Sequence, residues 1–198
     1  MIGSDGSWLV FLWQSLRKTR TVRRFVAPLT AAIVIGGAAF YVFHSEPGWY
    51  LRLRYPLRYE TIVHAHAKNY RLDPALLAAV IYTESKFDPD ARSAAGAVGL
   101  MQLLPDTAEG IAARTGGGGF VPADLQNPEI NIRYGCWYLR HLLDKYGDER
   151  TALAAYHAGQ ANVDRWRAKG VGIQFAQTRY YVDKVERLKR IYARAYGL

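Results

Sequence analysis

The stretch LLAAVIYTESKF, Leu76 to Phe87, carries one carboxylate, Glu84, near the end of an aliphatic run. At helical spacing Leu76, Val80 and Glu84 share a face, with Leu77 and Ile81 beside them. Apolar surroundings disfavour the charged form of a carboxylate and raise its pKa. An acid still protonated near neutral pH can give its proton to a leaving oxygen, which is the chemistry of glycosidic-bond cleavage. The same spacing also suits a solvated glutamate at a helix end, or one paired with Lys86 or Arg92. Residue types alone leave both readings open. His64, His66 and His141 lack metal-ligand spacing and are expected on helix surfaces in solvent. The single cysteine, Cys136 in YGCWYL, excludes an internal disulfide and reads as a small buried apolar residue. Neither a metal nor a cofactor is expected.

The elements that must position Glu84 read as helices. Asp73-Pro74 supplies an N-cap and a proline at the first helical position, and Asp88-Pro89 stops a helix expected to reach Phe87. YETIVHAHAKNY has helical apolar spacing, and LLPDTAEGIAART opens a helix after its proline. NPEINIRYGCWYLRHLLDKYG is bracketed by Asn127-Pro128 and Gly147. ERTALAAYHAG and QANVDRWRAKG each end in glycine, and Phe175 to Tyr196 is a cationic helix. DARSAAGAVG and TGGGGF read as loops. An all-α domain of seven or eight helices is expected over residues 58–198.

The preceding residues read as an address. Phe25 to Phe43 is a run of 19 residues without charge, close to the roughly 20 apolar residues that cross a bilayer as a helix. Residues 1–24 hold five Lys and Arg against Asp5, so they are expected on the cytoplasmic side with everything after the span outside. Arg52, Arg54 and Arg58 weaken that contrast. A cleaved signal peptide, cut before Phe40 after Gly37 and Ala39, is the competing reading. Trp8 to Leu16 is apolar at most positions and suits a membrane interface. His44 to Leu57, punctuated by Pro47-Gly48 and Pro56, reads as a linker. The net charge of +9 suits anionic lipid, nucleic acid or an acidic polymer such as cell wall. No nucleic-acid-reading motif accompanies it, so nucleic acid is not an expected partner.

Four blocks carry a resemblance. ESKFDPDARSAAGAVGLMQLLPDTA, NPEINIRYGCWYL, ALAAYHAG and QTRYYVDKV stand in the order of the motifs of the soluble lytic transglycosylase-type domains, and the similarity spans about Tyr59 to Tyr192. The resemblance implies a lysozyme-like, goose-type helical fold with a glycan groove, preceded here by a single transmembrane helix. It implies cleavage of peptidoglycan between N-acetylmuramic acid and N-acetylglucosamine, with Glu84 acting first as acid and then as base to give a 1,6-anhydro sugar. Ser93 would help hold the acid or substrate. Gly99, Leu100, Met101 and Gln102 would form the groove floor, with Gly99 letting backbone approach sugar, Met101 against a ring and Gln102 hydrogen-bonding. Tyr156 and Tyr181 would approach the reacting centre. As bland alternatives, Ser93 is a loop serine, Met101 is core, and both tyrosines are buried with satisfied hydroxyls.

Two positions depart from the family pattern. His157 replaces an asparagine and Gln177 replaces an acid, which puts subsite details in doubt. A hydrolytic muramidase on the same fold is an alternative, as is a catalytically impaired wall-binding scaffold. The expected partners are glycan strands, the membrane, and cell-wall or secretion machinery that needs the wall opened.

Overall fold

The computed structural model describes Val26 and residues 28–198. Segment 1–24, with the interfacial reading of Trp8 to Leu16, lies outside the described residues. The chain divides into two units, Met1–Tyr50 and Leu51–Leu198.

In the first unit a helix, α1, covers Pro28–Ser45 with a mean hydropathy of 1.4 and none of it buried. It is long and apolar enough to cross a membrane. Its side-chain hydroxyls bond back to their own helix: Thr30 Oγ1 donates to Val26 O at 3.0 Å and Ser45 Oγ to Tyr41 O at 2.7 Å. That leaves little polar demand on the surroundings.

Leucine, alanine and arginine-rich segments with well-marked caps make the rest helical: α2 (Gly48–Arg54), α3 (Glu60–Asn69), α4 (Pro74–Ser85), α5 (Pro105–Thr115), a 3-10 turn at Pro122–Gln126, α6 (Pro128–Tyr146), α7 (Glu149–Ala158), α8 (Gln160–Ala168) and α9 (Ala176–Tyr196). Among the described residues there is no strand. Two isolated bridges, Arg92 with Val98 and Val98 with Leu103, fasten the loop between α4 and α5. Asp73, Asn127 and Asp148 cap α4, α6 and α7, each accepting two backbone N–H bonds that the first turn would otherwise leave open.

α4 is apolar on every side, and every residue from Ala75 to Ile81 is buried. It packs chiefly against α9, whose buried residues Thr178, Tyr181, Val182, Val185, Leu188, Tyr192 and Ala195 recur at helical spacing. α4 ends at Ser85, two residues before the expected end at Phe87. Lys86 (φ 54°) and Phe87 (φ 65°) are both left-handed, and the turn swings the Phe87 ring into the core against Tyr82 and Tyr192. Left-handed backbone costs roughly 1 kcal/mol or more per residue, while burying a phenylalanine returns about 2–3 kcal/mol.

The segment expected as a linker is helical over Gly48–Arg54, and its second half is packed. Leu51 and Tyr55 are buried, Arg52 Nε donates to Ala195 O at 2.7 Å, and Leu57 N donates to Tyr196 Oη at 2.9 Å. The helical unit thus begins at Leu51 rather than at Arg58. Pro47 lies in the break after α1, and Gly48 is the first residue of α2.

The unit has two apolar cores. The larger holds α4, α7 and α9; the smaller gathers Val98, Leu103, Ala108, Ile111, Leu125 and Tyr134. α6 runs between them, and Tyr138 packs against both. The seam between the cores is where the site lies.

Candidate active site

Glu84 sits in the last turn of α4, facing the negative end of the helix dipole. Tyr181 Oη donates to its Oε1 at 2.6 Å. Desolvation pushes the Glu84 pKa up to about 7, against the pull of the Tyr181 hydrogen bond and of the Lys184 charge. Near neutral pH both the protonated and the ionised forms of the acid are therefore present.

Two cavities meet at this carboxyl. One, of about 590 Å³, lies between α4 and the start of α9 and is bordered by Thr83, Gln177, Tyr181 and Lys184. The other, of about 490 Å³, is bordered by Ser93, Gln102, Thr107, Tyr138 and Tyr156. Glu84 and His157 line both. Among the described residues lining either cavity, Glu84 is the only carboxylate. Asp88 and Asp90 stay outside: Asp88 Oδ1 accepts from Asp90 N, and Asp90 Oδ1 from Gln126 Nε2.

The loop between α4 and α5 is tied down by buried polar bonds. Ser85 Oγ donates to Leu100 O at 2.8 Å. Tyr156 Oη donates to Met101 O at 2.7 Å. Asn131, fully buried in α6, accepts from Met101 N at 2.7 Å and donates to Val98 O and Leu125 O at 2.9 and 2.8 Å. Such a satisfied network fixes one loop conformation. Gly99 (φ 81°) is required there, since a Cβ would stand 2.2 Å from Asn131 Nδ2 and 2.3 Å from Leu125 O. Gln102 Nε2 donates to Ala91 O and Gly99 O, both at 3.0 Å, and Ser93 Oγ accepts from Ala97 N. At the rim, His157 lies 4.5 Å from the Tyr181 ring, with Nδ1 3.1 Å from Thr178 Oγ1. Burial lowers its pKa, which favours the neutral imidazole. Burial and the neighbouring Glu84 charge hold the Tyr156 and Tyr181 hydroxyls well above the usual phenol range, so both stay donors.

Of the residues singled out in the sequence, Glu84, Ser93, Gln102, Tyr156, His157, Gln177 and Tyr181 gather around the two cavities. Gly99, Leu100 and Met101 do not: all three are buried beneath the groove. Met101 cannot lie against a sugar ring, because its side chain packs on Gly135, where a Cβ would stand 2.2 Å from Sδ. Gly99 makes room for Asn131 rather than for substrate. His66 is also placed differently: it is buried, with Nε2 2.6 Å from Glu129 Oε1. His141 stacks on Trp137 at 5.4 Å.

Sequence reasoning missed Thr83, Tyr138 and Lys184 on the walls and Asn131 below. Lys184 was within reach, since Gln177, Tyr181 and Lys184 recur at helical spacing on one face. Thr83 lines the cavity beside Glu84, and its hydroxyl is buried with no partner among the described residues.

A helical domain with one carboxyl of raised pKa in a groove between two cores fits the lysozyme-like class of its structural neighbours. The transglycosylase SLT domain family matches residues 61–174, and the chain belongs to that family. It is 44% identical over 111 residues to the transglycosylase of Enterobacteria phage PRD1, covering 56% of this chain and 38% of that protein. It is 31% identical over 148 residues to the soluble lytic murein transglycosylase of Escherichia coli K12, covering 69% of this chain and 23% of that protein. Among solved structures, the 70-kDa soluble lytic transglycosylase of Escherichia coli superposes with a TM-score of 0.70 at 29% identity, covering 75% of this chain and 26% of that one. An inactive glutamate-to-glutamine variant of lytic transglycosylase Slt from Pseudomonas aeruginosa superposes at 0.67 with 31% identity, over 75% of this chain and 26% of that one. The chain thus spans well under half the length of these relatives.

Proposed function

We propose that this protein is a peptidoglycan lytic transglycosylase in which Glu84 acts as acid and then as base. The observation that carries this reading is the pairing of a carboxyl raised to about pH 7 with the lack of a second carboxylate among the described residues of the groove walls. Hydrolysis by two carboxylates needs a partner about 5–9.5 Å away. A lone acid suits a reaction whose nucleophile belongs to the substrate.

Glu84 gives its proton to the glycosidic oxygen as the anomeric C–O bond breaks. The muramic 6-hydroxyl attacks the anomeric carbon, and the Glu84 carboxylate takes the hydroxyl proton. The acid is restored, and the strand carries a 1,6-anhydro end. The intramolecular hydroxyl brings a high effective concentration, so no water need be positioned. Tyr181 steadies the carboxylate, and Tyr156 holds the floor loop through Met101 O. Gln102, His157, Gln177 and Ser93 offer polar contacts to sugar. That a glutamate-to-glutamine change inactivates the Pseudomonas aeruginosa structural neighbour supports the assignment of Glu84.

Digestion of purified sacculi by the full chain, with products analysed by mass, tests this. Anhydro ends, one water lighter than reducing ends, are expected; reducing ends alone would instead indicate a muramidase. The Glu84→Gln variant should bind sacculi without releasing products. Release by that variant at the wild-type rate would reject the assignment.

The helix at Pro28–Ser45 is proposed as a retained single-pass anchor in the cytoplasmic membrane, with the catalytic domain extracytoplasmic. The five cations before it support that orientation, and Tyr41 and Trp49, exposed near its far end, suit the aromatic belt of a bilayer surface. In that setting the enzyme would open wall beside membrane-bound cell-wall or secretion machinery. N-terminal sequencing of the membrane fraction separates an anchor from a cleaved signal, which would leave the chain starting near Phe40.

A further inference from the structure

His157 stands where the two cavities meet, because it lines both, as Glu84 does. One ring nitrogen is engaged: Nδ1 lies 3.1 Å from Thr178 Oγ1. The other, Nε2, has no partner among the described residues, and the side chain is exposed at the rim. The Tyr181 ring lies 4.5 Å away at 33° and holds the plane of the imidazole. A neutral imidazole has one proton, so Nε2 meets the groove either as a donor or as an acceptor.

Thr178 decides which. Its side chain is buried, and His157 Nδ1 is its sole side-chain hydrogen-bond partner among the described residues. A helical hydroxyl can turn to a carbonyl three or four residues back, as Thr30 and Ser45 do. Here those carbonyls are in use: Phe175 O accepts from Thr178 N and Arg179 N, and Gln174 O accepts from Arg179 Nη1 at 2.8 Å. Leaving a buried hydroxyl proton without an acceptor is costly. The hydroxyl therefore donates to Nδ1, and the ring proton sits on Nε2. Desolvation lowers the His157 pKa and keeps the ring neutral. Asparagine, the residue of the family pattern here, carries its N–H donors without any such support; a neutral histidine presents one at Nε2 only while Nδ1 is an acceptor.

We propose that Thr178, which lines neither cavity, is a positioning residue: its hydroxyl holds His157 as the Nε2–H tautomer, and that N–H donates to a hydroxyl or carbonyl oxygen of the sugars flanking the scissile bond at Glu84. The proposal rests on the reading of the substrate given above and deepens it.

The tautomer is read on the full-length protein in detergent at about pH 8, where the ring is neutral. With ¹⁵N-labelled histidine, the couplings of each ring nitrogen to the carbon-bound ring protons show which nitrogen is protonated, and the spectrum of His157→Asn identifies the signal. An unprotonated Nδ1 and a protonated Nε2 are expected. Thr178→Val should give a mixture of tautomers, and Thr178→Ser should restore the single one. In the Glu84→Gln background, Thr178→Val should weaken binding of purified glycan strands about tenfold, the loss of about one hydrogen bond. Thr178→Ser should recover most of that, and Thr178→Val should add nothing once His157→Asn is present. A proton on Nδ1 in the wild type, or a tautomer unmoved by Thr178→Val, would overturn the proposal whether or not the protein cleaves glycan. Equal weakening with and without His157→Asn would mean that Thr178 serves only the fold, and would reject it. If the tautomer is as expected but glycan strands do not bind, the substrate reading fails and the donor assigned to sugar fails with it.

Discussion

The hydrogen bond from Tyr181 to Glu84 offers the most direct handle on the chemistry. At 2.6 Å it is a charge-assisted bond to the ionised acid and opposes the desolvation that lifts the Glu84 pKa to about 7. Bonds of this kind are worth about 1.5–3 kcal/mol, and one pKa unit corresponds to about 1.4 kcal/mol. Complete loss of the bond would therefore raise the pKa by about 1–2 units. The protonated carboxyl also gains from the phenol oxygen, so the differential effect lies at the lower end. Tyr181→Phe should move the basic limb of kcat/KM from near pH 7 to about pH 8. The assay is the initial rate of sacculus solubilisation across pH 5 to 10, at substrate well below KM, so that the limb reports the free enzyme. The variant should be slower at every pH, but its rate relative to wild type should climb above pH 7. A limb that stays in place or moves down would show that Tyr181 does not set the proton affinity of Glu84.

Lys184→Met should raise the Glu84 pKa by less than Tyr181→Phe, because the charge acts without a hydrogen bond. The difference from wild type should shrink at high salt, and salt-independence would refute the charge account. Glu84→Gln should change stability as well as activity. The folded pKa, about 7 against 4.5, is raised, so stability is fully present below pH 4.5 and falls as pH rises through 7, by about 3 kcal/mol at most. The variant should be more stable than wild type at pH 8 and show no such gain at pH 4 in urea titrations; an equal gain at both would exclude the linkage. Asn131→Asp puts a carboxylate against Val98 O and Leu125 O and should cost about 3–5 kcal/mol, read as a lowered urea midpoint that recovers partly in acid. Gly99→Ala drives a methyl into Asn131 Nδ2 and Leu125 O at φ 81° and should be at least as damaging.

Helix boundaries were legible wherever they rest on local chemistry. Asp73-Pro74 and Asn127-Pro128 mark starts through side chains that cap the next turn, and Gly147 marks an end because the left-handed backbone suits it. The end of α4 was not legible. Lys86 and Phe87 adopt left-handed backbone only because the Phe87 ring is buried against Tyr82 and Tyr192, a long-range gain that no local preference encodes. The face that Glu84 shares followed from helical spacing, and the family resemblance named six more side chains around the two cavities, while Thr83, Tyr138 and Lys184 went unnoticed. The floor was misread. The residues from Gly99 to Met101 were expected as ligand contacts through the family resemblance of the GLMQ block. Only the fold shows that each answers to α6, through Asn131 and Gly135. A buried asparagine inside a helix gives no sequence signal of the three backbone groups it will satisfy.

The same physics explains why the acid is where it is. A carboxyl in the middle of α4 would be enclosed by Leu76, Val80 and Ile81 and held neutral, unable to serve as a base. One on the surface would be ionised, unable to serve as an acid. For the proposed reaction, the last turn of an apolar helix, opening onto a seam between two cores, gives partial desolvation on one side and access to a cavity on the other. Tyr181 and Lys184 from α9 then draw the pKa back down towards neutrality. A single group can give a proton and take one back in the same turnover only if both forms are accessible at working pH. The close packing of α4 on α9 sets that balance, because it fixes the distance from Tyr181 to the carboxyl.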